Sequence, residues 1–134
     1  MRVGSKGVAR RGLIALLLCG AVACGDRTAA GDLRAALVLD PAAPRVGSNA
    51  AVRVTLSDGQ SNPMRGARVS IEAHMSHPGM TPVVADARET ADGIYVARIS
   101  FSMAGEWTLV ASGVLADGRR ISALAERTNV GPPP

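Results

Sequence analysis

The chain has 134 residues, and its formal net charge of +4 comes from four basic residues among the first 23, because the remainder holds eleven arginines, no lysine and eleven acidic residues. Nucleic-acid binding requires a clustered basic surface, so we expect no nucleic-acid partner. Both cysteines, Cys19 and Cys24, lie near the N-terminus, which excludes a disulfide or a thiolate metal site further along the chain.

Residues 1–23 have the pattern of a lipoprotein signal peptide. A basic segment, "MRVGSKGVARRG", precedes the 11-residue apolar run "LIALLLCGAVA". A membrane-spanning helix needs about 20 apolar residues, so this run indicates a cleaved secretory signal. "AVAC" resembles the lipobox of bacterial lipoproteins, with small Ala23 before Cys24, whereas Cys19 follows the bulky Leu18. We therefore expect export and acylation of Cys24, which would anchor a periplasm-facing lipoprotein to a membrane of the cell envelope; an ordinary secretory signal is the alternative.

After a short flexible tether, residues 24–31, the remaining chain is expected to form one domain over residues 32–130. Apolar and polar residues alternate in short segments bounded by turn formers, which is typical of an all-β sandwich or barrel. No window beyond the signal has helical periodicity. Seven strands are predicted, the first four at 33–40, 50–58, 67–75 and 81–89. The fifth begins at residue 94 after the turn Asp92-Gly93, the sixth contains residues 107–111, and the seventh covers about 120–130. Pro82 near the start of the fourth strand predicts an edge strand.

The three aromatic residues, Tyr95, Phe101 and Trp107, fall on the core side of two neighbouring strands, and Met103 continues the same side. We expect all four to pack in the core, where the tyrosine hydroxyl would need a hydrogen-bonding partner. A domain of about 100 residues with seven short strands has the size of an immunoglobulin-like β-sandwich, which is the fold predicted here.

Two segments together resemble the YtkA-like domain, a group that includes FixH-type proteins. These segments are "GARVSIEAHMSHPGMTPV" and "GIYVARISFSMAGEWTLVAS". The resemblance lies in a Met/His/Pro-rich turn from Met75 to Met80, in Gly93 with Tyr95, and in Gly105 with Trp107. It implies an exported immunoglobulin-like β-sandwich, often membrane-tethered, that is suspected of binding copper or of serving cytochrome oxidase assembly. FixH differs because its N-terminus resembles a membrane span.

The stretch "HMSHPGM" (residues 74–80) holds both histidines of the chain and two methionines. Imidazole nitrogen and thioether sulfur together suit copper, because thioether is soft and prefers Cu(I). Pro78 and Gly79 allow a bent loop that brings His77 and Met80 back toward the strand end. The predicted copper ligands are therefore His74, His77 and Met80, with Met75 next.

Other interpretations of this stretch stay open at this point. Met75 continues a core stripe and can serve packing alone, and the histidines can be solvated. Zinc would need four ligands, with only Glu72 and Asp86 as nearby carboxylates, and would leave the methionines unused. A blue-copper centre needs a cysteine thiolate, which the domain lacks.

The sequence thus predicts a lipid-anchored, copper-binding module that buffers copper or passes it to a copper-receiving protein or a membrane complex. The alternative is a protein-interaction module without metal. We do not expect an enzyme, because Ser76 and His77 are neighbours that a strand would point apart, and no orienting acid is evident.

Overall fold

The computed structural model describes residues 32–134; the predicted signal peptide, tether and acylation site Cys24 lie outside the described residues. Its elements are all β-strands. They are β1 (Arg34–Asp40), β2 (Asn49–Ser57), β3 (Arg68–Met75), β4 (Val83–Ala91), β5 (Ile94–Ser100), β6 (Gly105–Val114) and β7 (Arg120–Val130). A helix that could span a bilayer is not found among residues 32–134.

The strands form two layers that share one strand. β1, β2 and β5 pair in one layer, and β3, β6 and β7 pair in the other, all antiparallel. Residues 83–87 of β4 pair with β3, whereas residues 88–91 pair with β5, so β4 passes from one layer to the other. The predicted fold, an immunoglobulin-like sandwich of seven antiparallel strands, is confirmed in these elements. The prediction that β4 is an edge strand needs correction: it joins the layers, although each half is paired on one side only.

The alternation of side chains along each strand places the core between the layers. Buried residues occupy every second position, as in β2, where Ala50, Val52, Val54 and Leu56 are completely inaccessible. Successive side chains on a strand point to opposite faces, so the intervening polar residues face solvent. Among residues 32–134 the core extends from Leu33 to Val130 and includes residues of all seven strands, so the described part of the chain forms a structural unit with its own core.

The three aromatic residues lie in this core, as predicted, and each polar ring atom has a partner. Phe101 and Trp107 pack edge to face with centroids 5.3 Å apart. The Trp107 indole N–H donates to the carbonyl of Met103 at 3.0 Å. Tyr95 donates its hydroxyl to the carbonyl of Met64 at 2.8 Å and accepts from the amide of Ala67 at 3.0 Å.

The prediction that Met103 belongs to the core is wrong. β5 ends at Ser100, Phe101 occupies the last inward position, and Met103 lies in the following turn with 43% of its surface exposed. The alternation that marked it as a core residue extends past the end of the strand. Met75, in contrast, does pack against the core, in agreement with its place on the core stripe of β3.

The two ends of the sandwich differ, and we name each after a residue. The tyrosine end is formed by the segments 58–67, 92–93 and 115–119, next to the Tyr95 hydroxyl. The histidine end is formed by the segments 41–48, 76–82 and 101–104. Asp32, the first described residue, lies at the tyrosine end, because a Cβ on Gly59 would come within 3.1 Å of the Asp32 Cβ.

Candidate metal site at the histidine end

The last two residues of β3, His74 and Met75, point to opposite faces of their sheet. In the pairing with β6, His74 lies opposite Thr108 and Met75 lies opposite Trp107. Paired residues share a face, and Trp107 is buried, so Met75 faces the core and His74 faces outward. The strand geometry alone therefore separates the thioether of Met75 from the imidazole of His74.

His74 is oriented by a carboxylate on its own strand. Its Nε2 lies 3.0 Å from Oε2 of Glu72, two residues earlier and on the same face, and the His74 side chain is 43% exposed. In the tautomer that donates from Nε2, the lone pair of Nδ1 is free to accept a metal ion. Metal-binding histidines commonly donate their second ring nitrogen to a carboxylate in this way, which fixes the ring and raises its basicity.

The loop 76–82 begins at a fixed point and then projects into solvent. The amide of Ser76 donates to the carbonyl of Glu106 at 3.2 Å, and its hydroxyl donates to Oε1 of the same residue at 3.3 Å. His77 and Met80 follow in exposed positions, with 38% of the Met80 surface accessible. Gly79 has a φ of 83°, the left-handed conformation that glycine adopts without steric cost. The loop thus exposes one imidazole and one thioether, three and six residues after His74 in the chain.

Met75 occupies the other side of the strand end, against β6. A Cβ added to Gly105 would lie 3.3 Å from the Met75 Cε, so the absence of a side chain at Gly105 leaves room for the thioether. Gly105 also lines a shallow depression of about 570 Å³, between the segments 43–45, 104–105 and 129–132. Met75 is consequently a packing residue whose tip lies near solvent at the histidine end.

The structure places the four predicted ligands within the end of β3 and the loop that follows it, with the two strand residues on opposite sides of β3. His74 faces outward and Met75 faces inward, whereas His77 and Met80 are exposed on the loop 76–82. Within residues 32–134 no group of three or more His, Cys, Asp or Glu side chains is positioned to hold a metal ion.

The carboxylates weighed for zinc are placed unequally. Glu72 contacts His74 directly, whereas Asp86 lies level with Ser70, four residues before His74. At the rise of a β-strand this separation is about 13 Å, too far for a shared ion. The contact of Glu72 with His74 is a feature that sequence reasoning did not bring out, although residues two apart on a strand always share a face.

Comparison with known proteins gives one family match. The model of the YtkA-like family matches residues 27–111. No curated protein sequence matches the chain.

Among solved structures, similarity is weak. An engineered protein aligns at 17% identity and a TM-score of 0.45, over 75% of this chain and 20% of its own length. This chain thus spans about a fifth of that protein. A cohesin module from a Clostridium perfringens family 33 glycoside hydrolase aligns at 9% identity and a TM-score of 0.43, over 77% of this chain and 99% of the module. TM-scores of this size do not establish a functional relation.

Proposed function

The chain belongs to the YtkA-like family, and from that premise we propose that it is a non-catalytic, lipid-anchored module of the cell envelope that binds copper at its histidine end. The observation that carries the copper proposal is the geometry of His74. Its ring is held by Glu72 with the remaining nitrogen free, next to a loop that exposes a second imidazole and a thioether.

The donor set fits copper better than other metals available outside the cytoplasm. His74, His77 and Met80 offer two imidazoles and one thioether, a combination that suits Cu(I) and tolerates Cu(II) at the nitrogens. When bound, copper would be a soft, exchangeable ion that the domain carries, and it would not take part in catalysis. The residues of the chain would hold it at the surface, and the Glu72 carboxylate would keep the His74 ring in the binding tautomer.

The position of the loop also suits transfer of the ion to a partner. A tether between Cys24 and Asp32 would enter the sandwich at the tyrosine end, opposite the loop 76–82. The strands contain 7–11 residues, and at the usual rise the two ends lie roughly 20–35 Å apart. The copper site would then be remote from the point of attachment and open to a copper-receiving protein or an oxidase-assembly complex.

The copper proposal is tested by competition with a chromophoric Cu(I) chelator, using residues 32–134. The wild-type domain should withdraw one equivalent of Cu(I), and the triple variant His74→Ala, His77→Ala and Met80→Ala should withdraw none. The matched control is Met64→Leu at the tyrosine end, which should bind as the wild type does. Equal affinity in the triple variant would remove the site and leave an interaction module without metal.

Substitution of Met75 distinguishes two possible ligand sets for copper, one without and one with its thioether. If copper is held on the outward face, Met75→Leu retains the packing of β3 and leaves the Cu(I) affinity unchanged. A loss as large as that of Met80→Leu would show that the loop folds inward and that Met75 is a ligand. The unfolding midpoint of the metal-free Met75→Leu domain checks that packing is preserved.

The anchor is tested separately on the full chain. Wild type should enter the membrane fraction with the mass of a diacylated Cys24, and Cys24→Ser should lose both the lipid mass and the membrane association. Cys19→Ser should behave as the wild type does. An unmodified, soluble wild-type product would contradict acylation without affecting the copper experiment.

A further inference from the structure

The outer face of the β1-β2-β5 layer carries a cluster of arginines that the copper site does not involve. Arg53 on β2 and Arg88 on β4 both lie opposite Val96 of β5, one on each side. Arg98 lies two residues further along β5 and points to the same face. The strand order brings together three side chains that are distant in sequence, because β5 pairs with both β2 and β4.

The spacing of these arginines follows from the sheet. Neighbouring strands lie about 4.8 Å apart, so the Cα atoms of Arg53 and Arg88 are about 10 Å apart, and Arg98 lies about 8 Å from each. All three side chains are exposed, and no ion pair joins any of them to a carboxylate among residues 32–134.

The titratable groups around the cluster leave it with an excess of positive charge. Asp40 on β1 shares this face, in the row Asp40–Ala51–Arg98, and Asp86 on β4 lies two residues before Arg88 on the same side of that strand. The carboxylate of the adjacent Glu89 is engaged by the amides of Gly66 and Gly93 at the tyrosine end. Arg34, the first residue of β1, adds a fourth guanidinium to the same face; it lies near Asp58, whose pKa is lowered mainly by hydrogen bonds from Asn62 and also by the charge of Arg34.

The opposite layer of the sandwich has no comparable excess of charge. Its outer face carries His74 together with three arginines and three carboxylates. These are Arg68, Arg120, Arg127, Glu72, Asp86 and Glu106. Arg127 lies 3.9 Å from Glu106. A domain that is neutral as a whole therefore has one positive face and one balanced face.

We propose that the arginine face, defined by Arg34, Arg53, Arg88 and Arg98, binds the phosphate headgroups of an anionic membrane surface. Guanidinium groups bind phosphate through paired N–H donors, and each arginine near an anionic bilayer strengthens the attraction. The face is a broad sheet surface with an exposed apolar residue, Val38, in the row of Arg53. Charge complementarity and this shape favour a bilayer as the occupant.

The position of the face agrees with attachment from the tyrosine end. Arg34 lies two residues after Asp32, so the positive surface begins where a tether from Cys24 would enter. A sandwich lying on this face would leave the loop 76–82 free at its side. The interaction requires neither copper nor acylation, so it goes beyond the proposed function and can fail or hold independently of it.

The experiment uses residues 32–134 and vesicles of phosphatidylcholine, alone or mixed with phosphatidylglycerol. The wild-type domain should sediment with the anionic vesicles only, and added salt should release it. The triple variant Arg53→Gln, Arg88→Gln and Arg98→Gln should lower the vesicle partition coefficient about 100-fold, since each arginine contributes about fivefold.

The matched control is Arg68→Gln, Arg120→Gln and Arg127→Gln on the balanced face. This variant changes the net charge by the same amount and should partition as the wild type does. An equal loss in both triple variants would overturn the assignment of the face, because net charge alone would then explain binding. If the wild-type domain does not bind anionic vesicles, the proposal that this face binds a membrane is wrong. The unfolding midpoints of both triple variants check that they are folded.

Discussion

The two ends of the sandwich differ in what their polar groups contact. At the tyrosine end, the Tyr95 hydroxyl, the Glu89 carboxylate and the Arg65–Asp92 ion pair connect the segment 58–67 to the start of β5. At the histidine end, the loop 76–82 is tied at Ser76 and then exposes His77 and Met80. The polar side chains of the tyrosine end are thus engaged within the protein, whereas His77 and Met80 at the histidine end are exposed.

The glycines with positive φ give the sharpest way to test this contrast. Gly93 (φ 68°) at the tyrosine end and Gly79 (φ 83°) at the histidine end share the left-handed conformation. A Cβ on Gly93 would lie 2.6 Å from the carbonyl oxygen of Leu56 and 3.0 Å from the amide of Met64, whereas a Cβ on Gly79 meets no atom within 4 Å.

We therefore expect Gly93→Ala to lower the free energy of unfolding by roughly 2–5 kcal/mol, from backbone strain and overlap together. Gly79→Ala, the matched variant, should lower it by only about 1 kcal/mol from strain alone. Urea unfolding of residues 32–134 measures both. Equal effects would mean that the segments around Leu56 and Met64 are not packed as described.

The next largest effect is expected at Tyr95, because its buried hydroxyl makes two backbone hydrogen bonds. Tyr95→Phe keeps the ring in the core but leaves the Met64 carbonyl and the Ala67 amide without this partner. The free energy of unfolding should fall by about 1–3 kcal/mol, the cost of unsatisfied buried groups. Denaturant unfolding is again the measurement, and an unchanged midpoint would show that water replaces the hydroxyl.

At the histidine end, the expected effect is on affinity and not on stability. Glu72→Gln removes the carboxylate that holds His74, and the Cu(I) affinity should fall about 10-fold, as is usual when the orienting partner of a metal ligand is lost. The unfolding midpoint of the metal-free domain should not move. Glu126→Gln on β7 changes the charge equally and should leave affinity intact; the same loss in both variants would mean that Glu72 acts through charge alone.

The smallest effect expected is a change in acid sensitivity at the tyrosine end. The amides of Gly66 and then Gly93 hold the pKa of Glu89 below its ordinary value of 4.5. A carboxyl group with a lowered pKa in the folded state stabilises fully above its unfolded value, and this contribution is lost as the pH falls through the folded pKa. Below pH 4.5 the unfolded chain therefore binds more protons at this position than the folded chain.

Glu89→Gln should consequently weaken the dependence of the unfolding midpoint on acid pH. The dependence should not vanish, because the pKa values of Asp58 and Asp117 are also lowered, by hydrogen bonds from Asn62 and from the Arg119 amide. Thermal unfolding measured at neutral pH and below pH 4.5 compares the two slopes. Parallel slopes for wild type and variant would contradict a charged, hydrogen-bonded Glu89.

Local alternation was sufficient to predict most of the fold. The predicted strands at 33–40, 67–75 and 120–130 agree with the observed ones to within one residue at each end, because a half-buried strand must present apolar side chains with period two. The same periodicity placed Tyr95, Phe101 and Trp107 in the core. It misplaced Met103, since the alternation of residue types continues past the point where the strand ends.

What only the tertiary structure decided is which strands are neighbours. Period-two alternation specifies a buried face but not a partner, so it could not show that β4 divides between two layers or that Arg53, Arg88 and Arg98 lie on one surface. It could not identify the Met64 and Ala67 backbone groups as partners of Tyr95, which lie 31 and 28 residues away along the chain. The sequence by itself determined the strands, the core and the residues of the candidate site, because these depend on nearest neighbours in the chain. The arrangement of donors at one end and of satisfied polar groups at the other depends on long-range pairing.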